Sequence, residues 1–260
     1  MERSPLEYSP GFRPHWPIRH VLFDFDGTLS LVRAGWADVM AEMFIELLAG
    51  ADREAVVENI MLLNGRATIH QMAWLSGELR SRGMQPADSA VYLDEFLRRL
   101  QTLIDKRLAG DREALLVFGA RALLDDLRAR GLTLHIASGT DERAVRREAE
   151  ALGIAEFFGG RIHGAPADAR AFSKLEIIEV ILRDYDCPGA ALLSFGDGHI
   201  ETENTKRVGG LAVAVASDEA QPGSGRVDES KRARLLAVGA DVVIPDYRDA
   251  AALLERILLA

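Results

Sequence analysis

The chain has a single cysteine, Cys187, in 260 residues, so no internal disulfide can form and a reducing compartment is expected. No apolar run approaches the length of a bilayer span, which argues against a membrane protein. The opening residues, "MERSPLEYSPGFRPHWPIRH", lack the apolar core of a signal peptide. Basic residues are in the minority as well. Lys and Arg number 31 against 40 Asp and Glu, and the resulting net charge of −9 leaves no excess for a nucleic-acid backbone. A small phosphorylated ligand is still compatible, because it needs only a locally positive pocket. These absences predict a soluble, cytoplasmic protein without nucleic-acid or membrane partners, either a monomer or a homodimer. Internal repeats and low-complexity tracts are missing too. Four prolines in the first twenty residues read as an extended arm lying on the surface.

What is present is an alternation. Short apolar runs occur at "HVLFDF", "LTLHIAS", "ALLSFGD", "LAVAVAS" and "DVVIP", with helical patterns between most of them. Unbroken apolar strands alternating with helices predict an α/β fold, a parallel sheet covered on both faces. Gly131 and Gly153 stand where two of these helices should end, and Ser173 with Glu176 forms a helix-starting pattern. One region breaks the alternation. From about Leu31 to Glu113 only helical spacing is seen, with Val39, Met40, Met43, Phe44, Leu47 and Leu48 on one face. The expected organisation is therefore a discontinuous core, 1–31 with 114–260, interrupted by a helical cap at 32–113.

In "HVLFDFDGTLS", Asp24 and Asp26 lie two residues apart at the end of an apolar run. Like charges so placed oppose one another's ionisation, and half-buried carboxylates are costly without a cation. The pair implies a partner, either a metal ion or a basic side chain. Ligands of open parallel sheets bind beyond the carboxyl ends of the strands, so the residues that follow each apolar run matter most. After the second run come Ser138, Gly139 and Thr140; after the third, Asp197 and Gly198, with Glu201 beyond them; after the fourth, Ser217, Asp218 and Glu219. Singly, a turn or a helix cap explains Ser138 or Asp197 more simply. Two aspartates at one strand end are not explained that way, and convergence at one sheet edge favours a site.

These residues resemble the motifs of the haloacid dehalogenase-like superfamily, the aspartate-nucleophile phosphatases. "DFDGT" at 24–28 is similar to the first motif, Ser138 to the second, Lys174 in "AFSKLEII" to the third and "GDGHIE" at 196–201 to the acidic fourth, all in the family's order. The resemblance implies a Rossmann-like core. The helical insertion after the first motif is similar to the phosphoglycolate phosphatase and β-phosphoglucomutase subclass. Glu201 stands where many members have aspartate, and Leu175 follows Lys174 where many have proline.

The resemblance also implies chemistry. Mg²⁺ would be held by Asp24 and Asp197 through side chains and by Asp26 through its backbone carbonyl, with Glu201 either a ligand or an acceptor orienting metal-bound water. Asp24 would be the nucleophile and Asp26 the general acid and base. Ser138 and the Gly139 backbone would hydrogen-bond the phosphoryl oxygens, with Thr140 beside them, Lys174 would supply positive charge, and Gly27 would allow close backbone approach. The expected activity is a phosphatase acting on a small phosphorylated metabolite. A phosphomutase is the alternative, and a non-catalytic regulator that binds such a metabolite a more distant one. Asp26 argues against a dehalogenase, since departing halide needs no proton.

Arg33, just past the first motif, and Arg66, in the cap turn "NGRAT", are candidates to read the leaving group; solvated helix-end charges are the plain alternative. His135 reads as a core residue, and Trp36 and Trp74 as packing. The polar segment 217–234 is either a surface loop or a flap at the rim of the site.

Overall fold

The computed structural model describes residues 6–14, 17–63, 67–165 and 173–258. All five apolar runs become strands: β2 (His20–Phe23), β3 (Thr133–Asp141), β5 (Leu192–Gly196), β6 (Leu211–Val215) and β7 (Val242–Ile244). Their nearly unbroken burial reflects a sheet covered on both faces. Two further strands escape a reading of apolar runs. β1 (Glu7–Tyr8) pairs antiparallel with β7, and β4 (Ile162–Ala165) pairs parallel with β3. The N-terminal arm therefore does more than lie on the surface: backbone pairing captures it as an edge strand, and Phe12 behind it is buried.

The sheet order is β1-β7-β6-β5-β2-β3-β4, and every pair except β1–β7 is parallel. After β2 the chain builds outward through β3 and β4, then returns to lay β5 on the other side of β2. The carboxyl ends of β2 and β5 thus form a topological switch point, where open α/β sheets bind ligands. Phe23 of β2 is in register with Phe195 of β5, and their rings stack 5.0 Å apart. That pairing sets the residues after both strands side by side.

The described residues divide into two compact units, 1–32 with 111–260, and 33–110. The second holds four helices, α1 (Trp36–Leu47), α2 (Arg53–Leu62), α3 (Ile69–Ser81) and α4 (Ser89–Leu108), and no strand among its described residues. Its interior contains Met40, Met43, Phe44, Leu48, Ile60, Met72 and Leu75, with Trp74 stacked on Phe44. Leu47 is the exception on the expected α1 face, being 37% exposed at the last helical position.

In the first unit the remaining helices are α5 (Ala120–Ala129), α6 (Glu142–Ala151), α7 (Ala155–Phe158), α8 (Lys174–Asp184), α9 (His199–Arg207), α10 (Glu229–Ala237) and α11 (Ala250–Ile257). Gly131 and Gly153 take positive φ just past α5 and α6, as the C′ position favours. Ser173 caps α8 by accepting the Glu176 N–H.

One part of the core is polar. His20 on β2, His135 on β3 and His163 on β4 form a row across neighbouring strands, with Tyr185 against the first two. His20 Nδ1 and His135 Nε2 are 3.2 Å apart, so one of them carries the shared proton. Burial, reinforced by His20, Arg161 and His163, pushes His135 down to about 3. Burial likewise lowers His20 and His163. The unfolded chain, with ordinary imidazoles, therefore binds more protons than the folded one below about pH 6.5, and stability falls as the pH is lowered through that range. Urea unfolding followed from pH 7 to pH 4 is expected to lose a few kcal/mol. The His135→Leu variant should show a shallower slope, and an unchanged slope would show that the histidine row is not its source.

Candidate active site

β2 ends at Phe23, so Asp24 and the loop after it emerge at the switch point; the Asp24 N–H donates to the Phe195 carbonyl of β5. Asp197 follows β5 directly, and Glu201 lies in the first turn of α9. Carboxylate oxygens of Asp24, Asp197 and Glu201 all lie within 4.8 Å of one another. These are the acids that the strand-end reading singled out, brought together from positions far apart in sequence.

Such a group needs positive charge. Lys174, the first residue of α8, places its ammonium 2.9 Å from Asp24 Oδ1 and 3.1 Å from Glu201 Oε2. Its side chain is only 12% exposed, so this pairing is far less screened than a surface ion pair. The other Glu201 oxygen accepts the Gly198 N–H at 2.6 Å, at the α9 N-terminus where anions are favoured. A Cβ at Gly196 or Gly198 would collide with the Glu201 side chain, so both glycines leave the room it occupies.

Burial pushes the Asp24 carboxyl well up; Lys174 draws it back, and Glu201 and Asp197 push it up again. Asp197 is likewise raised by burial, against the pull of Lys231. Burial raises Glu201 too, but Lys174 and hydrogen bonds from backbone N–H groups outweigh it and leave the carboxyl lowered. The group is therefore short of positive charge. Three carboxylates, Glu201 buried and Asp24 and Asp197 half-buried, offer only oxygen and suit a hard divalent cation that keeps several waters.

The Asp26 carboxylate is not part of this group. Its Oδ2 accepts the Thr140 hydroxyl at 2.8 Å. Thr140, expected beside the phosphate, thus has its hydroxyl on Asp26, and its N–H donates to Ser138 Oγ at 3.1 Å. Ser138 is buried, whereas Gly139 is exposed, with open space where a side chain would stand. Arg33 is the first residue of the helical unit. Arg66 lies outside the described residues.

Sequence reasoning passed over Lys231 and Tyr247, and noted Ser217 only as a strand-end residue. Lys231 on α10 reaches Asp197 Oδ2 at 3.0 Å and Glu219 Oε1 at 2.5 Å. The Ser217 hydroxyl donates to the Gly27 carbonyl at 3.1 Å, and the buried Tyr247 hydroxyl to the Thr28 carbonyl at 2.9 Å. Ser217 and Glu219 carried a signal, since both follow a strand end; Lys231 and Tyr247 carried none. The segment after β6 thus touches the loop of the two aspartates directly.

Gly27, at φ 73°, is where these contacts converge: an added Cβ would strike Asp197 Oδ2 and come within 3.2 Å of Glu219 Oε1. Gly27→Ala should therefore cost more than the roughly 1 kcal/mol typical of alanine at positive φ, because Asp197 must also move. Catalysis is expected to fall well over tenfold while the fold persists by circular dichroism. An alanine variant retaining full turnover would show that the Asp197 position is not critical.

Residues 18–203 match the family profile of haloacid dehalogenase-like hydrolases. No curated protein sequence matches the chain significantly. Among solved structures, the chain resembles a predicted phosphoglycolate phosphatase from Haemophilus somnus 129PT, at TM-score 0.65 and 16% identity over 91% of this chain and 97% of that one. It is also similar to a haloacid dehalogenase family hydrolase from Deinococcus radiodurans R1 with bound phosphate and sodium, at TM-score 0.61 and 20% identity over 94% and 98% of the two chains. A candidate β-phosphoglucomutase from Thermotoga maritima has TM-score 0.61 and 17% identity over 92% and 99%. At these identities the structural likenesses speak to the fold alone.

Proposed function

The chain belongs to the haloacid dehalogenase-like hydrolases, and on that premise we propose that it is a Mg²⁺-dependent phosphatase of small phosphorylated metabolites. The observation that carries this reading is the convergence of Asp24, Asp197, Glu201 and Lys174 at the ends of β2 and β5, with Asp26 held apart on Thr140. The phosphate bound in the Deinococcus relative supports it.

Asp24, Asp197 and Glu201 would hold the cation, together with the Asp26 backbone carbonyl. When bound, the cation supplies charge that lets an anionic carboxylate approach an anionic phosphoryl group. The Asp24 carboxylate then attacks phosphorus. The Asp24 O–P bond forms as the bond to the leaving oxygen breaks, and Asp26 gives that oxygen its proton. In the second half-reaction water attacks phosphorus, its proton passes to Asp26, and the Asp24 O–P bond breaks to release inorganic phosphate. The net change is hydrolysis of one phosphomonoester. The Ser138 hydroxyl and the Gly139 N–H would donate to phosphoryl oxygens, and Lys174 would offset charge on them.

These groups touch only the phosphoryl unit, so they cannot distinguish one ester from another. We assign that discrimination to the helical unit 33–110 acting as a cap, with Arg33 and Arg66 as candidate contacts.

Asp24→Asn is expected to abolish phosphate release, by at least about a thousandfold, while leaving the fold intact. Asp26→Asn should slow sugar-phosphate hydrolysis far more than p-nitrophenyl phosphate hydrolysis, because nitrophenolate leaves without protonation. Equal losses on both esters would remove Asp26 from the acid role. EDTA should stop turnover and Mg²⁺ restore it. Sugar phosphates isomerised faster than phosphate is released would make the enzyme a phosphomutase. Absence of both reactions in the well-folded protein would favour a metabolite-binding regulator.

A further inference from the structure

Lys231 stands apart from the machinery just described. It lies in the first turn of α10, where Asp228 caps the helix by accepting the backbone N–H groups of Ser230 and of Lys231 itself, both at 2.9 Å. Its backbone is thus fixed, while its ammonium reaches back to Asp197 at 3.0 Å and Glu219 at 2.5 Å with the side chain 14% exposed.

The two lysines at the site have different options. Both partners of Lys174, Asp24 and Glu201, belong to the three-carboxylate group. Lys231 has one partner inside that group, Asp197, and one outside it, Glu219. A cation arriving at the three carboxylates would repel both ammonium groups, but among the described residues only Lys231 has an acid beyond the group on which to remain. Gly27 makes that arrangement possible, since Asp197 and Glu219 both press into the space a Cβ would fill. Two carboxylates directed at one glycine repel each other unless a positive charge sits between them, and Lys231 supplies it.

We propose that Lys231 is a tethered competitor for the divalent cation: its ammonium holds Asp197 while the three-carboxylate group is empty of metal and rests on Glu219 once a cation binds. It is a positioning residue acting through Asp197, not a group that meets the substrate. The inference rests on the reading that Asp24, Asp197 and Glu201 take a divalent cation. Its consequence is a site of moderated affinity, in which the loop after β6 is tied to the empty state through Glu219 and Ser217.

The test is calorimetric titration of the metal-free full chain with Mn²⁺ and with Mg²⁺, without substrate, for the wild type, Lys231→Met and Glu219→Gln. Lys231→Met removes the competitor, and the cation should bind about fivefold or more tightly. Glu219→Gln removes the resting place and leaves Lys231 on Asp197 alone, so the cation should bind about threefold or more weakly. Opposite shifts separate competition from a structural role, which would weaken binding in both variants. Thermal melts give a second readout: metal-free Lys231→Met should melt below the wild type and gain more from Mn²⁺. Equal or weaker cation binding by Lys231→Met overturns the proposal, as does equal or tighter binding by Glu219→Gln. If Lys231→Met does not fold, Lys231→Gln takes its place, and it too must bind the cation more tightly than the wild type for the proposal to stand. Failure of the wild type to bind either cation would remove the metal site and this proposal with it, whereas normal wild-type binding with unresponsive variants removes only the role of Lys231.

Discussion

Carboxylates with oxygens within 4.8 Å of one another and little access to water repel strongly, because the local dielectric is lower than that of water. The group of Asp24, Asp197 and Glu201 is stable only because positive charge has been built in around it. Lys174 joins two of the acids, Lys231 takes the third, and a backbone N–H at the start of α9 supports Glu201. Much else around the switch point follows from this constraint. Gly27, Gly196 and Gly198 lack side chains where these carboxylates need room, and Ser217 and Tyr247 fix the two carbonyls that follow Asp26.

The sheet supplies the other half of the arrangement. Because β5 returns beside β2 after β3 and β4 have been laid down, residues some 170 positions apart leave adjacent strands in register. Phe23 and Phe195 mark that register, since a one-residue slip would send the two rings to opposite faces and break their stack. The precision of the carboxylate group is thus inherited from apolar packing beneath it, and the polar residues need only occupy the first positions beyond the strands.

This explains what the sequence made legible. Asp24, Asp197 and Glu201 could be found because they follow apolar runs, and the chemistry of clustered acids is visible in the residue types themselves. Lys231 could not, because Asp197 is distant in sequence and a lysine in a helical first turn looks like any solvated charge. The same limit applies to Tyr247, whose hydroxyl meets Thr28 only through the fold. β1 and β4 escaped notice for a different reason: Glu7–Tyr8 and Ile162–Ala165 form no unbroken apolar run, and pairing with an existing strand, not local propensity, makes them strands. His135 was readable as a core residue, but its row with His20 and His163 depends on strand order, which no single run reveals.

The two neighbouring aspartates are reconciled by a separation of partners. Asp24 faces Lys174 and the other acids, while the Asp26 carboxylate turns to the Thr140 hydroxyl on the neighbouring strand β3. Two positions that would oppose each other on an extended strand are thereby given different surroundings by strands on either side of β2. Such a division is what a pair of carboxyl groups needs if one is to attack while the other transfers a proton, since identical surroundings would give them identical proton affinities. The loop that follows Asp26, pinned at the Gly27 and Thr28 carbonyls by Ser217 and Tyr247, fixes the backbone from which the Asp26 carboxylate makes that turn.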